Sequence, residues 1–154
     1  MREEIPLPEQ VPNTSHIEIQ NIVRYWQSLH QDDALPDRTQ IDPTEFSTLL
    51  AGISLIDVVR SPLRYRFRLL GERMKIYHGR DLTGVWLDDA FPHFNETTTP
   101  ADFADVAEKG VPSYRIGRPL MTYEKSFIEM ERIYLPFRDG GPTVDTIMAY
   151  TIFR

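Results

Sequence analysis

Hydrophobic residues near the start of the chain recur with the spacing of an α-helix. The apolar stripe consists of Ile19, Ile22, Val23, Trp26 and Leu29. It follows a Ser-x-x-Glu capping box at residues 15–18, a pattern typical of a helix start. Residues 42–45, Asp-Pro-Thr-Glu, carry a second start signal and predict another helix up to residue 52.

Five later segments are rich in the β-branched, aromatic and other apolar residues of strands. Residues 53–59 and 64–70 are separated by a turn that contains Pro62, and they predict an antiparallel hairpin. A section of short helices and loops follows, with a helix predicted over residues 99–110. The last three strand-like runs are residues 111–123, 127–137 and 144–153. Because strands in runs pair as hairpins, we predict an α+β fold with one antiparallel sheet of five strands.

Three arginines alternate with other side chains along the second of these runs. A period of two places the arginines on one face of the strand and Tyr65, Phe67 and Leu69 on the face that we expect to join the core. Pairing across the turn would set Asp57 opposite Arg66 on the outer face.

The same patterns predict three parts of the chain. Residues 1–13 are expected to form an extended, proline-rich lead-in, and residues 14–52 an N-terminal helical extension. Residues 53–154 are expected to form the α+β domain itself.

Composition narrows the function classes. A net charge of -6 argues against nucleic-acid binding, which depends on neutralising phosphates. The chain has no cysteine, which excludes disulfides, thiolate zinc sites and flavin-thiol chemistry. The acidic, proline-containing start lacks the pattern of a signal peptide, and no apolar run is long enough to span a bilayer, so we expect a cytoplasmic protein with no membrane contact.

Several short motifs resemble those of PAS domains. The order of two strands, a helical middle and three strands is that of a PAS domain, and Gly79-Arg80-Asp81-Leu82-Thr83-Gly84 is similar to the G-x-x-L-x-G turn after its second strand. A bacterial PAS-like family of unknown function, with an N-terminal helix, is similar over residues 20–153. The motifs that carry this likeness are Trp26, Leu35-Pro36-x-Arg38, Ile41-Asp42-Pro43 and Tyr65-Arg66-x-Arg68-x-x-Gly71. The resemblance implies a curved five-stranded sheet, helices over one face, a small enclosed pocket, and a role in sensing or protein association.

Aromatic residues and methionines from the helical middle and the last strands are the candidates to line such a pocket. The predicted pocket residues are Met74, Tyr77, His78, Trp86, Phe103, Met130 and Tyr150. They would hold an apolar or aromatic small molecule, oriented by a tyrosine hydroxyl or by His78. The alternative is that they only fill the core.

Cofactors and metals have little support in the sequence. His78 and His93 are the candidates to ligate haem, but ordinary structural roles explain both residues better, so neither haem nor flavin is predicted. The loop at residues 88–96 holds one histidine and three acids, but Pro92 separates them and we predict no metal site.

The helical stripe and the arginine strand are the candidates for association. The stripe either covers the outer face of the sheet within one chain or packs against its counterpart in a dimer, and we expect a homodimer. The predicted association face contains Trp26, Asp57, Arg64, Arg66 and Arg68.

No catalytic motif is readable, so we expect a sensory or regulatory module that is not an enzyme. No effector pattern follows Phe153, and output would pass through a protein partner or a dimer interface. One alternative is a small cone-shaped α+β enzyme with Asp57 as its base. Another is an adaptor with a filled core and no ligand. Strand order distinguishes the PAS domain from the cone-shaped enzyme, since the PAS prediction requires the first strand to lie between the second and the last.

Overall fold

A single antiparallel sheet organises the chain. The computed structural model describes residues 5–119 and 128–154, and in these residues the sheet has five strands in the order β2-β1-β5-β4-β3. The strands are β1 (Ile53–Val59), β2 (Arg64–Leu70), β3 (Ser113–Gly117), β4 (Met130–Arg138) and β5 (Val144–Phe153). The first strand lies between the second and the last, as the PAS resemblance requires. The predicted α+β fold is confirmed; the parts of the predicted strand runs at residues 120–127 lie outside the described residues.

Helices cover both faces of this sheet. The α-helices are α1 (Ile17–Ser28), α2 (Glu72–His78), α3 (Leu87–Ala90) and α4 (Thr99–Lys109). Shorter 3-10 helices are formed by Arg38–Gln40, Pro43–Gly52 and Phe94–Glu96. The second helix of the extension is therefore not an α-helix: Phe46 adopts φ -140° and ψ 37°, which breaks the regular helical path. None of the described helices combines the length and apolar character that crossing a membrane requires.

The first helix begins one residue later than its capping box predicts. The Ser15 hydroxyl donates instead to the carbonyl of Pro12 at 2.7 Å. His16 takes the N-cap position, and its Nδ1 accepts the backbone N–H of Glu18 at 3.1 Å. The box is thus replaced by a histidine cap, which satisfies one of the free amides at the helix start.

The apolar stripe of α1 is buried within the chain. Ile19, Ile22 and Val23 are fully buried and Trp26 is 5% exposed. They pack on the sheet face formed by alternate residues of β4 and β5, and the Trp26 indole Nε1 donates to the carbonyl of Pro136 at 2.8 Å. The stripe therefore covers the sheet of its own chain, which was one of the two alternatives. The surface of Trp26 through which we expected a homodimer to form is buried against that sheet.

The β1-β2 hairpin has the predicted register up to an irregularity. Asp57 pairs with Arg66, but the register shifts between Leu55 and Ile56. The extra residue on β2 interrupts the alternation of side chains, as β-bulges do. Leu69 is consequently 46% exposed, so its predicted place in the core is wrong, and Leu70 is buried there instead.

Candidate functional site

A cavity of about 60 Å³ lies between the sheet and the helices on its inner face. Five of the seven predicted pocket residues line it. They are Met74, Tyr77, His78, Phe103 and Met130. Strands β1 and β5 contribute Ser54, Ile56, Ala149, Thr151 and Phe153 to the same lining. The space is smaller than the cavity of about 150 Å³ that holds a benzene ring.

Tyr150 and Trp86 lie elsewhere. Tyr150 is fully buried on the opposite face of the sheet, under α1, because its neighbours Ala149 and Thr151 take the cavity-facing positions of β5. The ring of Trp86 packs beside β2, with the guanidinium carbons of Arg64 and Arg66 at 4.3 and 5.1 Å from its centroid. The structure therefore does not bring these two residues to the cavity.

Stacked aromatic rings form the apolar wall of the cavity. Phe103 of α4 is 1% exposed, and its ring lies 4.3 Å from that of Tyr134 and 4.9 Å from that of Tyr65. At the opposite end of the lining, Tyr77 stacks on Phe153 with 4.0 Å between ring centroids. Such ring pairs stabilise the fold by more than their buried area alone would. These rings make this side of the cavity apolar.

Two arginines supply the charged part of the lining. Arg132 of β4 is 3% exposed, and directly across the sheet it pairs with Arg115 of β3. The Arg132 guanidinium donates to Asp102 at 2.9 Å and to the Ser113 carbonyl at 2.7 Å, and its carbon lies 3.8 Å from the centre of the Tyr134 ring. Both arginines line the cavity.

Neither arginine was among the predicted pocket residues. A signal existed, since Arg132 has the same parity on its strand as Met130, which was predicted to face the pocket. The predicted pocket set contains only aromatic residues, methionines and a histidine, and a composition of that kind does not point to a charged residue.

The arginine row of β2 is neutralised by acids of the same chain. Asp57 forms an ion pair with Arg68 at 3.0 Å and lies 3.6 Å from Arg66. Arg64 forms an ion pair with Asp88 at 3.0 Å. These contacts place the row on the outer face of the sheet. Asp57 lies there with it, on the side away from the cavity, so the alternative enzyme loses its predicted base.

The loop at residues 88–96 is also occupied by local pairs. Asp88 and Asp89 both contact Arg64, at 3.0 and 3.3 Å. His93 lies 2.7 Å from Glu96. Within residues 5–119 and 128–154 no group of three or more histidine or acidic side chains could hold a metal ion.

A buried carboxylate on the outer face ties the extension to the sheet. Glu131 of β4 is 1% exposed and accepts the backbone N–H of His16 and the hydroxyl of Tyr114, both at 2.8 Å. Arg154 donates to its other oxygen at 3.0 Å. Burial, and then the hydrogen bond to Glu131, raise the pKa of Tyr114 to about 12.

Replacing Tyr114 by phenylalanine is expected to flatten the alkaline limb of the stability curve. In the unfolded chain the phenol titrates near 10.0, whereas in the folded protein its pKa is about 12. The stabilisation is therefore complete below the lower value and is lost as the pH rises through the higher one. Urea unfolding at about pH 9 and about pH 11 should show a smaller loss of stability in Tyr114→Phe than in the parent. Equal losses in both proteins would contradict the assigned environment.

The strand order and the helices that close a cavity against one face define a class of small α+β sensory domain. A family model described as PAS domain matches residues 14–150, so the chain belongs to the PAS domain family. This membership makes it a sensory or regulatory module. Comparisons with curated proteins and with solved structures gave no match.

Proposed function

We propose that this PAS domain binds a small ligand in the inner cavity and signals by changing how the chain associates with a protein partner or a second copy. The observation that carries the proposal is the cavity itself. It is lined by buried polar groups, among them Ser54 and Arg132, as well as by apolar side chains. Burying polar groups costs free energy, so polar groups around a cavity favour ligand binding over a role in core packing alone.

Strand β5 offers a route from the cavity to the outer surface. Ala149 and Thr151 face the cavity, while Met148 and Tyr150 on the same strand are fully buried under the helical extension. A ligand that shifts β5 therefore acts directly on the packing of α1. Such a change in packing would alter the association with a partner, since the outer face also carries the exposed side chains of β2.

We propose that the module acts without catalysis of its own. Asp57, the base required by the enzyme alternative, is ion-paired on the outer face. Among the described residues that line the cavity there is no carboxylate to take over its role. The net charge of -6 supports a protein or small-molecule partner over a nucleic acid.

Native mass spectrometry of protein purified from its own host tests the proposal. The parent is expected to carry an extra mass that is lost on denaturation. Ala149→Val, which adds two methyl groups at the cavity wall, should abolish that mass, because the space is only about 60 Å³. The matched control Ala101→Val, at an exposed position of α4, should retain it.

If each of the three proteins had only the mass of its own bare chain, the adaptor without a ligand would be favoured instead. An extra mass retained by both variants would place the ligand outside the cavity. The same spectra report the oligomeric state. A ligand-dependent change in that state would support association as the output.

A further inference from the structure

The polar part of the cavity has an unbalanced charge. Arg115 and Arg132 face it from adjacent strands, and Asp102 is the acid that lies beside them among the described residues. Arg132 uses this carboxylate, so within residues 5–119 and 128–154 the second guanidinium has no acid of its own.

Arg115 carries the imbalance on one atom. Its Nη1 is buried and has no hydrogen-bond partner in the part of the chain that the structure describes. Leaving a buried donor unsatisfied is costly, and more so when it is charged. Burial, and then the repulsion by Arg132, lower the pKa of Arg115 from its usual value. An anion beside Arg115 would satisfy its Nη1 and offset the repulsion by Arg132.

We propose that the cavity ligand is a short-chain monocarboxylate whose carboxylate is bound by Arg115. A guanidinium and a carboxylate match as paired donors and acceptors, and the match is strong where water is excluded. The inference rests on the proposed function, since it names the chemical class of the ligand for the same cavity.

The rest of the lining selects the remainder of the molecule. Beyond the arginines the wall is formed by Met74, Phe103 and Phe153, which would contact a short apolar tail. A volume of about 60 Å³ limits that tail to a few carbons. A compact oxyanion such as phosphate would leave this apolar wall without a partner, so a carboxylate with an aliphatic end fits better.

Thermal unfolding of the full chain with matched probes tests the charge requirement. Acetate, propionate and butyrate at millimolar concentration are compared with propionamide, which has the shape of propionate without its charge, and with phosphate. At least one carboxylate is expected to raise Tm, since a ligand that binds the folded form alone stabilises it. Propionamide and phosphate are expected to leave it unchanged.

Variants of Arg115 separate binding from a structural role. Arg115→Gln should weaken carboxylate binding at least tenfold in calorimetric titration, as expected for the loss of a charged hydrogen bond. Arg80→Gln, at an exposed arginine on the loop after α2, is the matched control and should bind like the parent. Arg115→Met should raise the Tm of the ligand-free protein by about 2–4 °C, because it removes a half-buried charge whose buried Nη1 has no hydrogen-bond partner among the described residues.

The outcomes distinguish the two proposals. Equal shifts with propionate and propionamide, or unchanged carboxylate affinity in Arg115→Gln, would overturn the carboxylate assignment. So would the absence of any shift together with a lower Tm in Arg115→Met. If the native mass experiment still detected a neutral ligand that Ala149→Val excludes, ligand binding in the cavity would stand while its carboxylate class would be rejected.

Discussion

Replacing Trp26 by alanine lowers the free energy of unfolding by about 3–5 kcal/mol, the usual cost of removing a buried tryptophan. The ring is 5% exposed and fills the space between α1 and the outer face of the sheet. Its indole N–H also satisfies the carbonyl of Pro136, and alanine would leave that carbonyl without this donor. Urea unfolding of the purified chain measures the change.

Ile17 on the same helix is the matched control. Its side chain is 58% exposed, so Ile17→Ala should change the free energy of unfolding by no more than about 0.5 kcal/mol. Sedimentation of both variants shows whether self-association is altered. If Trp26→Ala kept full stability but changed the oligomeric state, the stripe would belong to an interface between copies, against the packing described above.

Phe103→Ala is expected to have a similar cost, about 3–5 kcal/mol, because its ring is 1% exposed and holds Tyr65 and Tyr134 in one stack. The effect has a second part, since the ring is also a wall of the cavity. Removing it joins the space of the ring to the existing volume. The variant should bind larger ligands than the parent, which thermal shifts with a series of longer carboxylates would reveal.

Phe103→Leu serves as the control for this prediction. It keeps an apolar side chain on α4 and should lose less stability than the alanine variant, because less volume is removed. If the two variants were equally stable, the ring would not be packed as described. A size preference that did not change in Phe103→Ala would place the ligand away from α4.

The sequence could predict the hairpin because turn position and alternation together determine which residues face each other. Asp57 opposite Arg66 follows from those two facts alone. The bulge next to Ile56 could not be foreseen, since nothing local in β2 marks the extra residue. Everything beyond it changed face, which is why Leu69 and Leu70 exchanged their expected places.

The cavity was predictable in part. Apolar residues on α2 and α4 reach it because those helices must bury their apolar sides against the sheet. Tyr150 was misplaced because both sides of β5 are covered, and composition does not distinguish one buried face from the other. Arg115 and Arg132 were missed because the cost of burying charge makes an arginine look like a surface residue until its partners are visible.

The covering of the stripe could not be predicted from one chain's pattern. The apolar stripe of an amphipathic helix must be buried, and a sheet of the same chain or a second copy of the helix can bury it equally well. The deciding contacts, such as the indole of Trp26 on the carbonyl of Pro136, join residues 110 positions apart in the sequence. Only the folded structure supplies them.

The buried carboxylate of Glu131 has a mechanical consequence. It joins the start of α1 at His16, the edge strand at Tyr114 and the last residue, Arg154. The point where the chain enters its first helix and the point where it leaves its last strand are thus fastened to the same side chain. Loss of this one carboxylate would remove the hydrogen bonds at both points together.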